Sequence, residues 1–178
     1  MLYRYKEDSP KIASSAWLAS NADVIGRVEI GADSSVWYQS VLRGDVNFIR
    51  IGERTNIQDL TMIHNSSDVP CIVGNDVTVG HSVVLHGCEI QDGCLVGMGS
   101  TVMDHAVLEA GCFLAAGSLV PEHKVLRGGY LYAGSPAKER RPLTDKEKAF
   151  LLQSAKHYVA LAQTHRDSVV ALNQDKSS

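Results

Sequence analysis

The chain has 178 residues, with 17 Lys and Arg against 20 Asp and Glu for a formal net charge of -3. That near balance offers no basic field to nucleic acid or an anionic membrane, and no stretch approaches the ~20 apolar residues needed to span a bilayer. The amino-terminal MLYRYKEDSP lacks the basic-then-apolar layout of a signal peptide. Cys71, Cys88, Cys94 and Cys112 show no CxxC spacing, so the expectation is a cytoplasmic chain with buried free thiols.

From Ile12 the chain falls into sixes: IASSAW, LASNAD, VIGRVE, IGADSS, VWYQSV, LRGDVN. Each block opens with an aliphatic residue and has a small or β-branched one fifth. Three extra residues, FIR, follow, and the phase resumes at Ile51 with IGERTN, IQDLTM and IHNSSD. It slips across the polar stretch ending at Cys71, then returns from Val73 with VGNDVT, VGHSVV and LHGCEI. One residue is dropped at Ile90, after which IQDGCL, VGMGST, VMDHAV, LEAGCF, LAAGSL and VPEHKV follow. Six residues per short strand and corner, three sides per turn, describe a prism whose first and fifth places point inward. No coil can bury its own apolar edge, so coils stack at about 4.8 Å, the spacing of paired strands. The fold class is therefore an all-β solenoid over residues 1–140, and Cys94 and Cys112, 18 apart at inward fifth places, stack in its core as inert thiols.

The tail, 141–178, differs. The Gly and Pro of YLYAGSPAKERRP stop the solenoid, with KERR read as a solvated turn. Thr144 and Glu147 form a capping-box signature that starts an α-helix. Its stripe, Leu151, Ala155, Tyr158, Ala162, Val169 and Leu172, with His165 in one slot, packs along a solenoid wall. NQDKSS reads as a frayed end.

Three histidines fall into the coil pattern. With coils at 51–68, 73–89 and 90–107, His64 and His86 are both second in a third-side hexad and stack one coil apart. His81 is third in a second-side hexad, so it leaves a different side of the prism. A neighbouring chain in a threefold assembly can supply it, giving two ligands from one subunit and one from the next. Arg43 lies one coil below His64, and Asp59 one coil below His81. Three imidazoles with an open fourth position is the pattern of a catalytic zinc site; structural zinc is closed by a fourth protein ligand. Iron or cobalt suits imidazole equally.

The hexads resemble those of hexapeptide-repeat proteins, which implies a left-handed parallel β-helix, against the usual right-handed crossover. RGDVNFIRIGERTNIQD, then IH, then VGHSVVLHGC, resembles the gamma-class carbonic anhydrases and their bacterial relatives, over about residues 10–140. That resemblance implies reversible hydration of carbon dioxide in a homotrimer, with His64, His81 and His86 as the metal ligands. It further implies that Arg43 and Asp45 form an inter-subunit ion pair, and that Gln58 and Asp59 hydrogen-bond the metal-bound water. Asn56 would lie beside the path to carbon dioxide, and Tyr132 near the metal. The archetypal enzyme has a glutamate where this chain has Val46, and a proton-shuttling glutamate in a long acidic loop where this chain has Ser67.

Other readings stay open. The fold and the GSPAK-like ending are shared with acyltransferases, so a coenzyme A-dependent acyltransferase or thioesterase is the first alternative, although such transferases use one histidine as base. A trimeric scaffold that retains a metal is the second. His105, His123, His157 and His165 are read as structural, and RGD has no adhesive meaning in a cytoplasmic chain.

Overall fold

A computed structural model of the chain describes residues 1–172; the fraying expected of 173–178 lies outside the described residues. It is a left-handed parallel β-helix with a single helix alongside. Three columns of aliphatic side chains make the core, each built from the first places of successive hexads. Val24, Leu42, Ile63, Leu85, Val102 and Val120 stack in register along one side. Ile30, Ile51, Val73, Ile90, Leu108 and Leu126 stack along another. The last column runs from Val36 through Ile57, Val79, Val96 and Leu114 to Tyr132. Every member of all three is buried, and each aliphatic burial stabilises by roughly 1.5–3 kcal/mol.

The three extra residues of the second coil are placed differently from expectation. Gly26 pairs with Gly44 and Val28 with Ile49, so Arg27 alone faces residues 45–48, and those protrude. Ile49 takes the buried place and Val46 is left 43% exposed. The reason is solvation: Asp45 and Asn47 cannot enter an apolar column, whereas Ile49 can. A Cβ on Gly26 would meet the Gly44 carbonyl oxygen at 2.6 Å, so the bulge also needs glycine at its start.

KERR is not a turn. Residues Lys138–Pro142 form a strand antiparallel to Tyr130–Ala133, the one antiparallel pairing between strands among the described residues, and it covers that end of the eight-stranded sheet.

The helix runs Asp145–Ser168 with Thr144 as N-cap and a complete capping box to Glu147. It lies along the wall formed by the third column, burying Leu151, Ala155 and Ala162. Tyr158 packs edge-on to Trp37, and His165 sits among Trp17, Trp37 and Tyr38, its Nδ1 3.1 Å from the Tyr38 hydroxyl. The expected stripe overshoots: Val169 is the C-cap and Leu172 is 90% exposed. Arg166 already bonds the carbonyls of Ser15 and Ala16 in the first full coil, and past that coil there is no wall to pack on.

All four cysteines are free and buried, Cys94 over Cys112 as expected, and burial pushes the Cys94 thiol up to about 12. No helix among the described residues is long and apolar enough to cross a membrane.

The cap has a pH signature. Bonds from Arg141 and the Thr144 amide hold the Glu147 carboxyl at about 2, below its ordinary 4.5. A depressed folded value contributes stability that is complete above the unfolded value and lost as pH falls through the folded one. The urea midpoint of Glu147→Gln should therefore lie below that of the unaltered protein at pH ~6 and converge with it towards pH ~2.

Candidate metal centre

Strands Met62–His64 and Val84–His86 pair in parallel, with His64 opposite His86. Side chains alternate along a strand, so Ile63 and Leu85 enter the core while Met62, His64, Val84 and His86 face out. Nδ1 of His64 stands 3.1 Å from Nε2 of His86. The other nitrogen of each ring meets a carboxylate: His64 Nε2–H donates to Asp45 Oδ1 at 3.0 Å, and His86 Nδ1–H donates to Asp104. A carboxylate can only accept at neutral pH, so these bonds assign the protons. In the neutral rings both facing nitrogens then carry lone pairs, an arrangement that a cation held by both relieves. Two imidazole nitrogens on a tetrahedral zinc, at 2.0–2.1 Å each, stand about 3.3 Å apart, close to the separation found.

His81 repeats the pattern on the second side. Its Nδ1–H donates to Asp59 Oδ2 at 2.8 Å, leaving Nε2 as the lone-pair nitrogen on a side chain 45% exposed. Each of the three imidazoles is thus oriented by a carboxylate, as metal-bound histidines usually are. Within one chain His81 does not join the other two, and no three His, Cys, Asp or Glu residues among those described gather into a metal-holding group. The donor set fits a metal in its chemistry, with two of the three imidazoles meeting within one chain.

The supporting carboxylates are themselves held. Arg43 Nη1 bonds Asp45 Oδ2 at 2.7 Å within the chain, where the resemblance implies a pair between subunits. Burial works to raise the Asp45 carboxyl, but the bonds from Arg43 and His64 outweigh it and the net shift is downward. Asp104 follows the same logic, burial being outweighed by bonds from Ser66 and His86.

Asp104 and Ser66 were not singled out in the sequence. The signal is in the spacing: Asp104 lies 18 residues, one coil, beyond His86. Gly87 makes the reach possible, at φ 50° and with a Cβ position 2.8 Å from Asp104 Oδ1.

Gln58 and His81 line one groove of about 410 Å³ between the wall and the helix, with Met98, Phe150 and Tyr158. Gln58 Nε2 donates to Asn56 Oδ1 at 2.9 Å, and Asn56 Nδ2 to Thr78 Oγ1 at 3.1 Å, so Asn56 is spent inside the wall, bracing Gln58. Tyr132 is elsewhere. It occupies the inward first place above Leu114, its hydroxyl accepting from the Arg127 amide and donating to Glu139, because the third column continues into the closing hairpin. Val46 and Ser67 leave the rim near Asp45 and His64 without acids at those two positions.

No family model matches the chain. A protein named carbonic anhydrase from Geobacillus kaustophilus is 44% identical over 178 residues, covering 100% of this chain and 96% of the relative. Gamma carbonic anhydrase 2, mitochondrial, of Arabidopsis thaliana is 46% identical over 165 residues, 89% of this chain and 59% of that protein, so the chain spans about three fifths of this plant relative. A hexapeptide transferase family protein from Anaplasma phagocytophilum superimposes with a TM-score of 0.90 at 47% identity, covering 92% of this chain and 97% of that one.

Removing the carboxylate behind one ligand tests the site without removing a ligand. Asp104→Ala should weaken cobalt or zinc binding about 10–100-fold, read by equilibrium dialysis, while leaving the thermal midpoint of the metal-free protein within a few degrees.

Proposed function

The chain belongs to the gamma carbonic anhydrase family, and from that premise we propose that it hydrates carbon dioxide reversibly at metal centres shared between the subunits of a homotrimer. The observation that carries this reading is the pair of lone-pair nitrogens on His64 and His86, 3.1 Å apart and each backed by a carboxylate. Two features support the shared site. His81, with its own carboxylate, leaves a different side of the prism, and Met62, Val84 and Met103 flank the other two ligands while at least a third exposed. An apolar stripe beside unsatisfied ligands is surface that calls for cover, and a threefold ring of identical chains sets the third side of one against the second side of the next.

Zinc is the assigned metal, with iron or cobalt compatible with the same imidazoles. When bound, such a metal supplies hydroxide at neutral pH by lowering the pKa of a water to about 7, a value for which carbonic anhydrase is itself the reference case. The chain's own groups do the rest. Asp45, Asp59 and Asp104 fix ring orientation and, in the neutral rings, set which nitrogen is free to bind. Gln58, braced by Asn56, presents its amide to the groove beside His81, where it can orient the attacking water with Asp59. The groove's apolar lining of Met98, Phe150 and Tyr158 suits uncharged carbon dioxide. Arg43 holds Asp45, and so His64, in place. Tyr132 takes no part in this reading.

The transferase reading has the Anaplasma phagocytophilum likeness behind it. It uses one histidine as base and gives no purpose to His64 and His86 facing each other over a pair of carboxylates. A scaffold that merely retains the metal would bind it and show no turnover. We assign the protein to the cytoplasm, in keeping with four free thiols.

Hydration of carbon dioxide, followed by stopped flow, should fall to background on chelation and return on adding zinc, or iron under anaerobic conditions. His64→Ala and His81→Ala chains should each be inactive alone. Refolded together in equal amounts, they should recover about a quarter of the sites, because one interface in four pairs an intact His81 with an intact His64 and His86. Recovery of none would place all three ligands in one chain.

A further inference from the structure

Each hydration converts carbon dioxide and water into bicarbonate and one proton, and that proton must leave before the next cycle. The carboxylates closest to the ligands are committed: Asp45, Asp59 and Asp104 each accept from a ligand ring. A base that exchanges with solvent and is not already bonded to a ligand is required for rapid export.

One cluster outside the ligand set meets that description. His105 and His123 occupy the same corner in successive coils, with rings stacked at 4.6 Å and 6°. The corner is the one directly above Gly87, whose carbonyl accepts the His105 amide, so His105 lies one coil, about 4.8 Å, beyond the corner that follows His86. Nε2 of His105 is 3.4 Å from Oδ2 of Asp68, at side-chain exposures of 37% and 70%. Asp68 belongs to the short segment after His64, and Ser66 of that segment bonds Asp104, the carboxylate behind His86. Asp104 is also the neighbour of His105 in sequence. The charged and titratable groups around His105 are therefore Asp68 from the segment, Asp104 from its own coil and His123 from the coil above. Neither ring is needed to fill the core, both being held outward by left-handed corners at φ 60°.

We propose that the His105–His123 pair, with Asp68, takes up the proton released by hydration and hands it to buffer, doing from the wall of the prism what no acid at Val46 or Ser67 can do. This rests on the hydration reading of the metal centre. In the step, neutral His105 accepts the proton on a ring nitrogen and becomes imidazolium, which Asp68 stabilises. His123 stays neutral, because two stacked cations repel. The proton then passes to a buffer base in solvent, restoring the imidazole.

The test uses the metal-loaded protein, His105→Asn, His123→Asn and the double variant; asparagine tolerates the left-handed corner, so the backbone is kept. Depletion of oxygen-18 from labelled carbon dioxide at chemical equilibrium separates two rates: interconversion of carbon dioxide and bicarbonate, and release of labelled water, which alone needs a proton delivered. The double variant should release labelled water at least about 10-fold more slowly at low buffer, recover with added imidazole, and hold its interconversion rate and kcat/KM within about twofold. Water release equal to that of the unaltered protein would overturn the relay. So would a parallel fall of both rates with metal content, which would mean the pair only packs the segment. If the unaltered, metal-loaded protein shows no interconversion above background, the hydration reading itself fails and the relay falls with it.

Discussion

Everything in this molecule hangs on the in-register stacking of one coil on the next through parallel backbone hydrogen bonds. Each coil supplies aliphatic side chains that only the coils above and below can bury, so a side chain's position in its hexad determines whether it goes to the core, to the outer wall or to a corner. The ligand geometry is a by-product of that rule. Ile63 and Leu85 must go in, so His64 and His86 must come out, side by side and one strand spacing apart. No loop has to find a conformation to bring them together, and the backbone ladder that holds them also holds the core.

The same ladder creates the electrostatic tension at the centre. Asp45 and Asp104 each accept a ring proton on the side away from the gap between His64 and His86, so in the neutral rings the lone pairs face that gap. That cost is spread over a rigid wall and offset by charge-assisted bonds from Arg43 and Ser66. Preorganisation of this kind favours a cation over a neutral occupant and fixes which ring nitrogens face it.

Much of this was legible from spacing alone, because a solenoid turns sequence separation into spatial adjacency. The His64 and His86 stack and the Asp59 and His81 pair both follow from counting one coil. Where counting failed, local physics intervened. Solvation pushed residues 45–48 outward and drew Ile49 in, moving the expected insertion by three places. The resemblance sets Tyr132 near the metal, yet continuity of the third column carries it into the core. Leu172 continues a helical stripe in sequence, but the wall it would pack against ends at the first full coil. Asp104 was visible by the same count that found Asp59, applied in the opposite direction. What no count within one chain supplies is a partner for His81, which stands apart from His64 and His86.

A repeat that adds coils by one rule has no internal reason to stop. After Tyr130–Ala133 the next edge would be an open template for any strand in solution, including the first coil of another molecule. The strand Lys138–Pro142 occupies that edge in the opposite direction, carries four consecutive charged residues outward, and is tied by Arg141 to Glu147 at the start of the helix. The latch thus closes one of the edges at this end of the prism, and a chain cut before Lys138 would leave that edge open as well.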